Sequence, residues 1–492
     1  MMPHDQILYA LLPELLVVIA LFGALGWDYT RLRGCPLAER FRKSAWIGGL
    51  GLAAGLGALG LQLAGVLPLD ATRLEGLTHG QLVLNPATLG LKALLYALGL
   101  MVMPLAARHP VTLQASEYIA LLLLSTVGMG LVVTSRNLLG AFVALELVSL
   151  SLYALTALQH RRAGAEAALK YFTFGGVSSG FLLFGLSHLY GTWGTLDLTQ
   201  VGVVEATPVL VMACLFVLVG LGFKIAVAPF HFWAPDVYQC APTPVAGWVA
   251  SGSKIAGVAL LLALLRPLLG QPGMYQPLTI LLATLATAGM VWGTLGALRQ
   301  TNVKRLLAYS AVANAGVLLV AVAALSETGW TAALFYAVVY ALAVLGAFAV
   351  VGAMCDGLGR DAELSDFHGC WRARPGIAVA FFIFVLSLAG IPPLAGFVGK
   401  FYLFFAAIEA RPVIDSWHDG LYWLVALALV TSVVALYYYL KLLKAFWVRE
   451  DIGPATQAPV DSAVKLVIFL LAAAVLVLGL WPEPTLRWLA GL

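Results

Sequence analysis

The chain has 492 residues, of which 61% are hydrophobic and 11% charged, and its mean hydropathy is +0.94. Soluble domains carry about 25% charged and roughly 45–50% apolar residues; here the polar remainder is too small to coat a water-soluble particle, and a disordered chain is excluded for the same reason. With 28 basic against 24 acidic residues the net charge is only +4, no footprint for nucleic acid, so the composition is that of an all-α polytopic membrane protein.

A spanning helix needs about 20 mostly apolar residues. That ruler places fourteen spans, at about 7–26, 45–66, 82–107, 116–134, 137–158, 167–190, 208–228, 244–266, 277–298, 303–324, 329–354, 376–411, 418–445 and 462–481. The opening MMPHDQ lacks Lys and Arg, so the first run is expected to be a retained span rather than a cleaved signal. The links are too short for a separate soluble domain, and one membrane domain over 1–492 is expected.

Basic residues in the links set direction. One set of alternate loops holds eighteen Lys and Arg, the other five. The richer set is expected to face the cytoplasm, with both termini on the outer side, as an even number of spans requires. The five cysteines form no CxxC pair, so neither a disulfide framework nor a metal or iron–sulfur site is expected. No Walker loop or dinucleotide fingerprint is present.

Five lysines remain, and all fall inside predicted spans: Lys92, Lys170, Lys224, Lys254 and Lys400. A lysine at the centre of a spanning helix costs roughly 2.5–3.5 kcal/mol. Lys254 falls near the middle of span eight, Glu146 of span five and Lys92 of span three. Snorkelling of the long stem to the headgroups is the bland account; it suits Lys170, a turn from the span's basic end, better than Lys254 or Lys400. For Glu146 the bland account is a structural ion pair or a protonated carboxyl. The functional account is a relay. Burial penalises the charged form of either group and an opposite charge restores it, so one arriving proton or charge can flip each member.

Proline interrupts two apolar spans. One break reads GLGFKIAVAPFHFWAPDVYQCAPTP from Gly220, the other LAGIPPLAGFVGKFYLF from Leu388. Lys224 precedes Pro229 and Lys400 follows Pro393. Non-helical backbone at membrane depth is tolerated only where it is buried or lines a wet cavity, and paired broken helices in corresponding halves point to a transport site. The breaks fall five spans apart. A five-span unit exits on the opposite side, so its next copy is inverted. The expected organisation is three N-terminal spans over 1–110, a first repeat over 116–266, an inverted second repeat over 277–445 and a last span over 462–492. His231, in the first break, is an accessory candidate for passing protons, with a structural histidine as the alternative.

Four stretches carry a family resemblance: ELVSLSLYAL around Glu146, GFKIAVAPFHFWAPDVYQCAPTPVAGWVASGSKIAG through Lys224 and Lys254, NVKRLLAYSAVANAGVLL near Lys304, and AGIPPLAGFVGKFYLF past Lys400. The chain resembles the antiporter-like membrane subunits of proton-pumping NADH:quinone oxidoreductase (respiratory complex I), within them subunit N, over all fourteen spans. The resemblance implies a proton relay of Glu146, Lys224, Lys254 and Lys400. It pairs Glu146 with Lys224, puts Lys170 on the cytoplasmic half-path, and leaves Lys92 without a defined role. Cys240 stands where the family is expected to have glycine. No cofactor is implied in this chain; FMN and iron–sulfur clusters are expected in partner subunits. The partners implied are the other membrane-arm subunits, and the location is a bacterial inner membrane. A subunit of a multisubunit cation/proton antiporter is the alternative, similar in spans and breaks.

Overall fold

The computed structural model describes residues 3–67, 69–108, 110–159, 162–355, 360–410, 420–448 and 460–491. Arg161, Arg411 and Arg449, which enter the charge count, and the predicted span edges at 411 and 418 lie outside the described residues. Twelve helices among them are long and apolar enough to cross a membrane. They are spans one to six (Leu12–Leu32, Leu37–Leu63, Pro86–Ala107, Ala115–Thr134, Leu138–Ala157, Arg162–Trp193), eight to eleven (Thr243–Leu268, Tyr275–Leu298, Val303–Val322, Glu327–Cys355), thirteen (Tyr422–Trp447) and fourteen (Ser462–Leu480). The spans missing from this set are seven and twelve, the two predicted to be broken. Each consists of shorter helices: Pro208–Lys224 and Trp233–Cys240 in span seven, Pro375–Ala389 and Ala395–Ile408 in span twelve.

Hydropathy alone does not say which spans form the core, because lipid is as apolar as leucine. Span eleven is wholly buried in protein, whereas span fourteen, more hydrophobic still, is only a third buried. Small residues let helices approach until backbones touch. A Cβ on Gly289 in span nine would sit 2.9 Å from Gly316 Cα in span ten, and one on Gly293 would collide with the backbone of Ala313.

Loop geometry repeats with an interval of five spans. Asn137 caps the start of span five, where its side-chain carbonyl accepts from Leu139 and Gly140 N–H, and it pairs with Asp197 in the link between spans six and seven. Asn302 caps the start of span ten by accepting from Arg305 N–H, and it pairs with Glu363 in the link between spans eleven and twelve. Asp197 and Glu363 each open a short 3-10 turn. An odd number of crossings separates the copies, so they lie at opposite membrane faces. This is the arrangement of an inverted repeat.

The breaks are built from local backbone chemistry. In span seven the helix ends at Lys224, and Ala226 takes φ +58°, a left-handed conformation uncommon outside glycine. Trp233 Nε1–H then caps the freed carbonyl of Phe223 at 3.1 Å. In span twelve Gly390 closes the first helix at φ +85°, with its N–H and that of Ile391 folding back onto Leu386 O. Span eight differs from expectation. It was read as continuous, but it is interrupted at Ser251 (φ −106°, ψ −81°) between Thr243–Ala250 and Gly252–Leu265. The Ser251 hydroxyl donates back to Gly247 O at 2.7 Å, which competes with the regular helix ladder.

Candidate functional site: a buried line of lysines

Glu146 is half-buried on span five, and its Oε1 accepts from the Ser179 hydroxyl of span six. Ser149 lies one turn further along span five and accepts from Lys224 Nζ at 3.1 Å. The direct Glu146–Lys224 pair expected from the resemblance is not made: Lys224 bonds Ser149, whose own hydroxyl donates to Leu145 O at 2.8 Å, and among the described residues no ion pair joins Glu146 to Lys224. The reason is register: the Lys224 stem leaves the last helical turn before the break, level with Ser149 rather than Glu146.

Lys224 packs on span eight where glycine makes room. A Cβ on Gly257 would lie 3.4 Å from Lys224 Cγ. Gly257 is three residues, about one turn, beyond Lys254. Lys254 is buried directly after the Ser251 interruption. Its Nζ donates to Ala311 O in span ten at 2.7 Å and stands over the Tyr340 ring of span eleven at 4.5 Å.

Beyond Lys254 a neutral polar cluster continues the line. Asn314 of span ten donates to Ser310 Oγ and to Tyr439 Oη of span thirteen, and Tyr336 Oη of span eleven donates to Asn314 Oδ1 at 2.7 Å. Tyr336 in turn packs on Gly399, where a Cβ would be 2.7 Å from Cδ2. The next residue is Lys400, whose Nζ donates to Leu388 O and Ala389 O at 3.2 and 3.0 Å. These are the carbonyls that the break in span twelve frees. The line thus runs from span five to span twelve through groups that are all buried except Glu146.

Two predicted residues lie off this line. Lys170 is not buried: it is an exposed-end lysine held by Glu166 at 2.8 Å and Asp236 at 3.0 Å. Asp236 also takes Arg305 at 2.6 Å. Lys170, Asp236 and Arg305 rim a cavity of about 400 Å³, whose inner wall includes His231. His231 is buried beside the Pro229 carbonyl and keeps Nδ1 without a hydrogen-bond partner. Lys92, read as snorkelling or undefined, forms a buried ion pair with Glu14 of span one. Cys240 ends the helix Trp233–Cys240 as a half-buried free thiol.

The model of the family described as NADH:quinone oxidoreductase/Mrp antiporter, TM, matches residues 135–434, a stretch that includes Glu146, Lys224, Lys254 and Lys400. NADH-quinone oxidoreductase subunit N 2 of Acidobacterium capsulatum is 42% identical over 99% of each chain. Subunit N of Hirschia baltica is 36% identical over 98% of this chain and 96% of the relative. The chain belongs to the NADH-quinone oxidoreductase subunit N family. A chain in the structure of respiratory complex I from Thermus thermophilus with bound aureothin is 33% identical, with a TM-score of 0.79 over 97% of this chain and 99% of that one. A chain of the Mrp complex from Dietzia matches with a TM-score of 0.77 at 22% identity, which speaks for a shared fold alone. Like these, the chain is a multi-pass membrane protein.

Ser149, Ser251, Ser310, Asn314, Tyr336, Tyr340 and Tyr439 were not singled out from the sequence. A usable signal existed in two places. Ser310 and Asn314, and likewise Tyr336 and Tyr340, stand four residues apart, so each pair shares one helix face. Glu14 had a plainer signal, a carboxylate inside the first apolar run, and it too was passed over.

Proposed function

We propose that this chain moves protons within the membrane arm of NADH:quinone oxidoreductase, along Lys224, Lys254 and Lys400, with Glu146 biasing the first of them. One observation carries the reading: three buried ammonium groups whose hydrogen-bond partners are carbonyls and hydroxyls, set on spans seven, eight and twelve of an apolar bundle, with the neutral Ser310, Asn314, Tyr336 and Tyr439 cluster packed between the second and the third. Among the described residues none of the three has a carboxylate in contact, so the charge on each depends on its neighbours' charges, and these interact strongly at low effective dielectric. A change at Glu146, imposed by quinone reduction elsewhere in the complex, shifts Lys224 through the electric field between them. Lys224 then yields its proton toward Lys254, and the hydroxyl cluster of Asn314, Tyr336 and Tyr439 leads on to Lys400. Protons enter by the cavity under Lys170, Asp236 and Arg305, where His231 is the first buried acceptor. The basic face is cytoplasmic, both termini face outward, and the membrane is a bacterial inner membrane. The chain holds no cofactor of its own; FMN and iron–sulfur clusters sit in partner subunits.

Purifying a tagged copy of this chain from its native membrane tests the assignment. We expect NADH dehydrogenase activity, flavin and iron–sulfur absorbance to travel with it; a sodium-dependent antiport assembly lacking them overturns it. Lys400→Arg tests the titration step. Arginine keeps the positive charge and donors for Leu388 O and Ala389 O, but does not deprotonate. The variant complex is expected to assemble and oxidise NADH while acidification of inverted vesicles drops sharply. Normal acidification would make Lys400 a fixed countercharge.

A further inference from the structure

A groove between spans one and two lies far from the lysine line. We propose that it is a binding site for one anionic phospholipid. Span one ends in a π-helical turn over Asp28–Leu32, a feature frequent at functional sites because the wider turn re-aims its side chains. A buried brace holds the turn: Asp28 accepts from Arg40 at 2.8 and 2.6 Å and from Ser116 at 2.8 Å. Beside it opens a cavity of about 700 Å³ lined by Gly23, Gly26, Trp27, Thr30, Arg31 and Lys43, among others. That size is within the range of small-ligand sites.

Charge selects the ligand. Five basic residues surround the turn, Arg31, Arg33, Arg40, Arg42 and Lys43, and the acids nearby are already engaged. Asp28 is held by Arg40, Glu39 by Lys43 at 2.7 Å, and Glu117 by the Tyr29 hydroxyl at 2.6 Å. Arg31 lines the cavity, is exposed, and has no acidic partner among the described residues. A surplus of positive charge thus faces an open pocket at the end of a span, the depth of a phosphate headgroup.

Shape selects a lipid over a free anion. A Cβ on Gly26 would meet nothing within 4 Å, and one on Gly23 only Ile47 Cγ2 at 3.8 Å. The two glycines leave a trough running from the headgroup level into the membrane. Ile19 and Phe22 stand one turn before Gly23 and Gly26 on span one, Trp46 and Leu50 about one and two turns past Lys43 on span two, and all four are exposed. An acyl chain laid there covers them, while Trp27 stands at the interface where indoles are favoured. Basic residues near anionic lipid each contribute about 1 kcal/mol. Removing two should weaken retention about thirtyfold.

The test uses the whole complex, stripped by detergent exchange and returned to nanodiscs of phosphatidylglycerol or phosphatidylcholine, with lipid retained on this chain counted by native mass spectrometry. We expect retained phosphatidylglycerol and little phosphatidylcholine. Arg31→Gln with Lys43→Gln should lose it, as should Gly26→Trp, which fills the trough. Equal retention of both lipids, or unchanged retention in the double variant, overturns the proposal. Displacement of the lipid by inorganic phosphate would overturn it in favour of a simple anion site. Lipid counting does not depend on proton pumping, so its failure is distinct from failure of the relay.

Discussion

Lys254→Met is expected to leave the complex assembled and to lower NADH-driven proton uptake into inverted vesicles about a hundredfold. The structural side is mild. Ala311 O, the acceptor of Lys254 Nζ, sits inside a helix and keeps its helical donor when the lysine goes. Methionine has a similar reach, and its thioether packs favourably on an aromatic ring such as Tyr340. Nor is an opposite charge stranded, since among the described residues no carboxylate contacts Lys254. The functional side is severe. Without this group a proton must cross from Lys224 to the Asn314 cluster with no titratable stop. A charge at mid-membrane without a dedicated site costs roughly 2.5–3.5 kcal/mol, and each 1.36 kcal/mol of barrier is about tenfold in rate. NADH oxidation with a hydrophilic acceptor should be unchanged, which separates loss of transfer from loss of the complex. Full uptake in an assembled variant would remove Lys254 from the path.

How much of this was legible beforehand follows from how local each signal is. A run of apolar residues and a proline within it are properties of neighbouring residues, so the fourteen spans, both proline breaks and the lysines beside them could be read directly. The Ser251 interruption was hidden because no proline marks it; a serine that back-bonds to Gly247 O does the same task. Partnerships were harder. Glu14 and Lys92 are separated by two turns of the chain through the membrane, and nothing local says that their faces meet. Lys224 looks like the partner of Glu146, and only the actual depth of the break shows its ammonium bonded to Ser149 instead. The hydroxyl cluster was missed for another reason. Tyrosine, serine and asparagine are ordinary in a membrane helix when counted singly. They become informative only once spans ten, eleven and thirteen bring Ser310, Asn314, Tyr336 and Tyr439 to one place.

The buried pair of Lys92 and Glu14 should give the largest stability effect. Both side chains are shielded from solvent and bonded to each other, joining span three to span one. Removing one partner leaves the other uncompensated, a loss of about 3–5 kcal/mol in buried pairs generally. Glu14→Leu, which strands the lysine, and Lys92→Met, which strands the carboxylate, should each show a loss of that size. The double replacement, apolar on both sides, should come close to the parent, since a buried pair exchanged for packed apolar groups is often neutral. The thermal midpoint of the purified complex measures all three. If the double variant is as damaged as the singles, the pair is not an electrostatic unit, and the two residues matter only for the space they fill.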